Sequence, residues 1–215
     1  MKIYLDTACI EDIREACSWG IISGVTTNPT IIAREGKDPE KTLKQIAEIV
    51  KGPVNAEVIS TTADEIIREG INLSRIHKNI VVKIPMTVDG IKAVKGLSAK
   101  KIRTNLTLVF SASQALLAAG AGAGYVTPFM GRLDDAGQSG LELIRQIITI
   151  YRNYGFKTQV IAASVRNVEH VTGSALAGAH IVTVPVKVLK EMISHPLTDA
   201  GIAKFLEDWK KVKGQ

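Results

Sequence analysis

The chain has 215 residues, 46% of them hydrophobic, and carries a formal net charge of +6. That length suits one large α/β domain, residues 1–215, and no low-complexity tract or Pro/Gly/Ser-rich linker marks an internal boundary. The basic excess is scattered through helix-like segments apart from the tail Lys210-Lys211-Val212-Lys213, with only two Trp and four Tyr to stack on bases, which speaks against a nucleic-acid partner. No apolar run approaches the roughly 20 residues of a membrane span.

The first residues run straight into a strand, Lys2–Asp6, with no signal-peptide pattern, and Cys9 and Cys17 read as reduced thiols. Together they predict a cytoplasmic protein. Asp6 or Thr7 is expected to cap a helix from Ile10 to Trp19, whose first-turn Glu11 and Asp12 complement the helix dipole and which Gly20 closes in the left-handed region. A strand over Gly24–Asn28 stops at Pro29, because proline biases the residue before it to extended backbone. A helix from Thr42 to Val50, a Gly52-Pro53 break, a strand over Val54–Ile59 and a helix from Ala63 to Ile76 follow.

Ile80-Val81-Val82-Lys83-Ile84-Pro85 is a β-branched run ended by proline, the pattern of a buried parallel strand, with one lysine in its middle. Lysine is rarely buried unless paired or chemically employed, and burial disfavours its charged form. A neutral amine on such a strand forms Schiff bases with carbonyl substrates. The other readings are an ion pair with a buried carboxylate or a side chain that snorkels out at the strand end.

Strands are then expected over Arg103–Val109, Tyr125–Phe129, Gln159–Ser164 and His180–Pro185, with a helix over Gly140–Tyr154. Beyond Ser194-His195-Pro196, a hinge, the pattern predicts a last helix within residues 197–213. Its stripe of Ile202, Phe205, Leu206 and Trp209 packs either on its own barrel or on a neighbouring subunit. The four histidines show no metal-ligand spacing, and no metal or cofactor is expected.

Eight strands alternating with helices predict right-handed βαβ units closing into a (β/α)8 barrel with an extra C-terminal helix. A doubly wound open sheet is the alternative, and the lack of a GxGxxG after the first strand argues against it. In a barrel, catalytic groups gather at the C-terminal ends of the strands. Those ends carry Asp6, Asn28, Glu57, Lys83, Asn105, Thr107, Thr127, Phe129 with Arg132, Ser164 with Arg166, and Thr183. Singly, each has a bland reading: Asp6 as a cap, Glu57 as the partner of Lys83, Asn28 as a turn former, Arg132 as a bridge to Asp134 or Asp135. Two carboxylates and a lysine in one narrow interior are costly to bury without a use.

The segments Leu5-Asp6-Thr7-Ala8, Gly24-Val25-Thr26-Thr27-Asn28-Pro29-Thr30, Ala56-Glu57-Val58-Ile59-Ser60, Val82-Lys83-Ile84-Pro85-Met86-Thr87, Thr104-Asn105-Leu106-Thr107-Leu108-Val109-Phe110, Pro128-Phe129-Met130-Gly131-Arg132-Leu133-Asp134-Asp135 and Ala162-Ala163-Ser164-Val165-Arg166 run in order through the chain. With them the sequence resembles the transaldolase family in its short microbial form, related to fructose-6-phosphate aldolase. The resemblance implies transfer of a dihydroxyacetone unit between sugar phosphates, as in the non-oxidative pentose phosphate pathway, from sedoheptulose 7-phosphate to glyceraldehyde 3-phosphate. It implies Lys83 as the Schiff-base amine, Asp6 as general base and acid, and Glu57 with Thr107 acting through a water. Asn28 and Asn105 would hold substrate hydroxyls with both halves of each amide. Thr127 and Phe129 would line the substrate, and Arg132, Ser164 and Arg166 would bind its phosphate. It also implies a homo-oligomer built on pentamers, such as a decamer. Aldolase members carry glutamine and tyrosine where this chain has Glu57 and Phe129, which favours transfer over release of free dihydroxyacetone. A sugar-phosphate-binding barrel without catalysis is the reading from another class.

Overall fold

All eight expected strands form, in the computed structural model that describes residues 1–212. They are β1 (Lys2–Asp6), β2 (Ile22–Thr26), β3 (Val54–Glu57), β4 (Ile80–Pro85), β5 (Thr104–Val109), β6 (Tyr125–Pro128), β7 (Gln159–Ala162) and β8 (Ile181–Val184). They pair in sequence order into a closed barrel. Closure runs through parallel β1–β8 pairing from Lys2 opposite Ile181 to Leu5 opposite Val184, which rules out the open doubly wound sheet.

The helices are α1 (Ile10–Ser18), α2 (Pro29–Arg34), α3 (Pro39–Ile49), α4 (Ala63–Ile76), α5 (Val88–Ala99), α6 (Ala112–Gly120), α7 (Met130–Asp135), α8 (Gly140–Tyr154), α9 (Val168–Leu176), α10 (Val186–Glu191) and α11 (Pro196–Val212). The last position of the expected C-terminal helix, residue 213, lies outside the described residues. Among the described residues no helix is long and apolar enough to cross a membrane.

Local chemistry moved several boundaries. α3 starts at Pro39 rather than Thr42, because Asp38 accepts from the Lys41 N–H and proline suits the first helical position. α1 is not capped by Asp6 or Thr7. Cys9 occupies the cap with no side-chain bond, while the Thr7 hydroxyl accepts from the Cys9 N–H at 3.2 Å. Gly20 does take the left-handed conformation, at φ +76°. At the C-terminal rim the strands end earlier than their sequence pattern. Asn28 leaves β2 to cap α2, Phe129 leaves β6 to cap α7, and the N–H groups of Ile59 and Ser60 turn to the Glu69 carboxylate. Ser164 follows β7 at φ +59°.

Alternate strand residues face the helices, where Leu5, Val25, Val54, Val82, Leu106, Val126 and Val182 are each fully buried. Burial of one such side chain is worth roughly 1.5–3 kcal/mol. The inward residues stack in layers. Tyr4, Ile161 and Ile181 with Tyr125 fill the N-terminal end, and Gly24 clears space for the Tyr4 ring, since a Cβ there would lie 2.6 Å from it. Above them sits a polar layer: Asn105 Nδ2 donates to Asn55 Oδ1 at 2.9 Å, Thr127 Oγ1 donates to Asn105 Oδ1 at 2.8 Å, and Asn55 Nδ2 donates to the Val25 carbonyl at 3.3 Å. Every one of these groups is satisfied by another, so the barrel floor is rigid beneath the rim.

Candidate active site

Over that floor opens a cavity of about 270 Å³ whose walls include Asp6, Asn28, Lys83, Thr127, Phe129, Arg132, Ser164 and Arg166. It gathers residues from β1, β2, β4, β6 and β8, from α2 and α7, and from the loops that follow β2, β6 and β7.

Lys83 is 2% exposed, and its strand position points it inward beside Glu57, its register neighbour on β3. Its Nζ lies 2.9 Å from Glu57 Oε2 and donates to the Thr27 carbonyl at 3.0 Å. An ammonium has three donors, so one remains toward the cavity. The expected ion pair with a carboxylate is present, and the same side chain lines the cavity. The snorkelling alternative does not hold.

Asp6 reaches the same cavity from the first strand. The Thr26 hydroxyl donates to Asp6 Oδ1 at 2.7 Å and lies 2.6 Å from the Thr183 hydroxyl, so Thr183 donates to Thr26 in turn. Burial pushes the Asp6 carboxyl above the ordinary carboxylate range, and the Thr26 bond and the Lys83 charge offset part of that shift. A carboxyl that holds a proton more tightly than usual suits proton transfer near neutrality.

Glu57 opens elsewhere. Its side chain, 10% exposed, helps line a neighbouring cavity of about 260 Å³ with Thr27, Ile32, Leu43 and Leu73. Thr107 is fully buried, and its hydroxyl has no hydrogen-bond partner among the described residues. A water held between such groups would satisfy it.

The two asparagines depart from expectation. Asn28 Oδ1 accepts from the Ile31 N–H at 2.9 Å as the α2 cap, which leaves its amide N–H groups for a ligand. Asn105 is fully buried, belongs to the floor layer and does not line the cavity. Each half of its amide is already bonded, to Asn55 and to Thr127. Its place is under Thr127.

At the mouth, the Phe129 ring packs edge-on to Phe110 with centroids 6.0 Å apart. Lys83 Nζ lies 5.9 Å from the Phe129 centroid, and the Arg132 guanidinium stacks over the same ring at 5.0 Å. Arg132 does not bridge to Asp134 or Asp135. Arg166 takes Asp135 instead, Nη2 to Oδ2 at 2.9 Å. The Arg166 backbone N–H donates to His170 Nδ1 at 3.3 Å, and His170 Nε2 lies 3.2 Å from Asp134 Oδ2, so both α7 carboxylates hold this loop. Gly131 permits the contact: a Cβ there would stand 2.0 Å from the Ser164 carbonyl.

Sequence reasoning missed three members of this neighbourhood: Arg34, which also lines the cavity, His170, and Asn55 of the floor. For Arg34 a signal existed, because Pro29 after a capping Asn28 marks a helix start and places Arg34 in its last turn.

A family profile described as "Transaldolase/Fructose-6-phosphate aldolase" matches residues 3–215. A protein of Pelotomaculum thermopropionicum named "Probable transaldolase" is 61% identical over 213 residues, 99% of each chain. One of the same name from Alkaliphilus metalliredigens is 59% identical over 209 residues, 97% of this chain and 98% of its own. Among solved structures, the carboxyl transferase domain of Rhizobium etli pyruvate carboxylase matches with a TM-score of 0.64 over 86% of this chain and 39% of its own. At 10% identity that likeness is one of fold alone.

Proposed function

The chain belongs to the transaldolase/fructose-6-phosphate aldolase family of enzymes, and we propose that its reaction is transaldolase transfer of a dihydroxyacetone unit from a ketose phosphate to an aldose phosphate. The observation that carries this reading is one cavity shared by the Lys83 amine, the Asp6 carboxyl and three guanidinium groups.

Lys83 passes a proton to Glu57, 2.9 Å away, and its free amine adds to the ketone carbon of the donor. The carbonyl oxygen takes one proton from the attacking nitrogen and one back from Glu57 and leaves as water, giving a protonated imine. Asp6 then removes the proton from the fourth-carbon hydroxyl. The electrons of the bond between the third and fourth carbons flow into the imine, and an aldehyde departs. The enamine left on Lys83 attacks the incoming aldose while Asp6 returns the proton, and water releases the new ketose. Glu57, with a water bonded to Thr107, carries protons in imine formation and hydrolysis. The Asn28 amide N–H and Thr127 face the sugar hydroxyls. Arg132, Ser164 and Arg166 take the phosphate, away from the breaking bond, so its binding energy serves orientation.

Transfer is favoured over aldolase release by Phe129. Its phenyl ring stands beside Lys83 and has no acidic proton to quench the enamine. The test compares fructose 6-phosphate alone with fructose 6-phosphate plus erythrose 4-phosphate, with borohydride trapping in parallel. Sedoheptulose 7-phosphate and a mass adduct on Lys83 are expected. Free dihydroxyacetone as the main product selects the aldolase, and no adduct under turnover selects a binding barrel without catalysis.

A homo-oligomer belongs to the same proposal. α11 has no buried residue, and Leu197, Phe205 and Leu206 are among its exposed side chains. Docking of α11 on a neighbouring subunit would cover them, and light scattering of the full chain against one truncated before Pro196 tests it.

A further inference from the structure

We propose that Arg34 is the adjustable arm of the phosphate site, the residue that lets one cavity hold phosphates carried on sugar chains of different length. This rests on the transaldolase reading and deepens it.

Three guanidinium groups line the cavity: Arg34, Arg132 and Arg166. Two of them are held. Arg132 is stacked on Phe129, 5.0 Å from the ring centroid, and Arg166 is tied to Asp135 at 2.9 Å. Arg34 is exposed, and among the described residues no carboxylate pairs with it. Asp135 neutralises Arg166, so Arg34 and Arg132 are left with two positive charges and no carboxylate partner. A phosphate monoester near neutral pH carries close to two negative charges.

The placement of Arg34 follows from α2. This helix spans six residues, begins at the Asn28 cap beside the reacting end of the cavity and ends with Arg34 in its last turn. At 1.5 Å per residue it runs about 9 Å, so it connects the sugar-binding end of the cavity to its mouth. Thr30 and Ile31, on the same helix, line the cavity between them.

Transfer needs such tolerance. Donor and acceptor both react at Lys83, but their phosphates sit at distances that differ by one carbon. Two anchored guanidinium groups match one of those distances. A long unpaired arginine on the opposite wall follows the phosphate between them.

A position in the last turn of a helix also complements the helix dipole, which is a stability role rather than a binding one. The experiment separates the two. Arg34→Gln and Arg34→Lys are compared with the unmodified protein, using erythrose 4-phosphate and unphosphorylated erythrose as acceptors. With the donor fructose 6-phosphate held saturating, the expected result for Arg34→Gln is a rise in KM of about tenfold for erythrose 4-phosphate, steeper at low salt, that KM for erythrose does not share. Arg34→Lys keeps the dipole contact and the charge but not the planar fork, and falls between. An equal change for both acceptors, or none for either, overturns the proposal. If the unmodified protein transfers nothing, the reaction assigned above fails by itself. Calorimetric titration with inorganic phosphate then decides: weaker binding by Arg34→Gln upholds the anion-binding role, and unchanged binding removes it.

Discussion

Lys83 Nζ and Glu57 Oε2 stand 2.9 Å apart, yet the two side chains open onto different cavities: the lysine onto the one that Asp6 and the arginines share, the glutamate onto the one behind α2. In the reaction proposed above, a sugar held in the first cavity would leave the second open, so Glu57 would keep a route for protons on its far side while Lys83 carries the substrate.

Glu57→Gln keeps the shape and the hydrogen bond but cannot take a proton. Its rate of imine formation, followed by borohydride trapping, is expected to fall about 10²-fold or more with little change in sugar-phosphate affinity. Lys83→Met leaves the partly buried Glu57 carboxylate without its partner and is expected to cost about 1–3 kcal/mol in denaturant unfolding. The double variant, with both charges gone, should recover most of that loss. Simple additivity of the two single changes would show that the pair is not coupled.

Asp6→Asn separates chemistry from stability. The variant should still form the borohydride adduct with fructose 6-phosphate while cleaving its carbon–carbon bond at least 10²-fold more slowly. Its stability should change with pH in a defined direction. Below the ordinary Asp value of 3.8 the carboxyl is neutral in folded and unfolded chains alike, and the variant and the parent match. As pH rises through the raised folded value, the parent takes on the cost of a desolvated carboxylate that the amide never carries. The Tm of Asp6→Asn should therefore exceed that of the parent at neutral pH and converge with it in acid.

Gly131→Ala places a methyl against the Ser164 carbonyl, where a Cβ would sit 2.0 Å away. α7 or the Ser164–Arg166 loop must move, at a cost of about 1–3 kcal/mol. KM for phosphorylated substrates should rise with the fall in Tm, because Arg132 and Arg166 stand on the two sides of that contact.

Phe129→Tyr puts a phenol beside the Lys83 amine, whose Nζ now lies 5.9 Å from the ring centroid. The ratio of free dihydroxyacetone to transferred product should rise several-fold, measured by coupled assay with and without acceptor. An unmoved ratio removes the main support for ranking transfer first.

Strand–helix alternation and the inward period of two were legible along the chain, because both are carried by neighbouring residues. So was the single lysine of β4, since an apolar run bounded by proline allows little else than a buried strand. The family motifs lie at the strand ends for the same reason. What the linear pattern did not carry is which side chains meet. Asp6 had two readings, a helix cap or an inward catalytic carboxylate, and it turns inward to Thr26, while Asn28 spends its oxygen on α2, close to the turn-forming role it also suggested. Asn105 looked like a substrate ligand and is a floor member bonded to Asn55 and Thr127, residues 50 and 22 positions away. Those outcomes depend on how eight strands stagger when the sheet closes, which sets the height of each inward residue relative to residues far off in sequence. The chain alone determined a barrel with a lysine in its wall. Closure decided that Glu57 lies against that lysine, that Asp6 lines the same cavity, and which arginines stand around it.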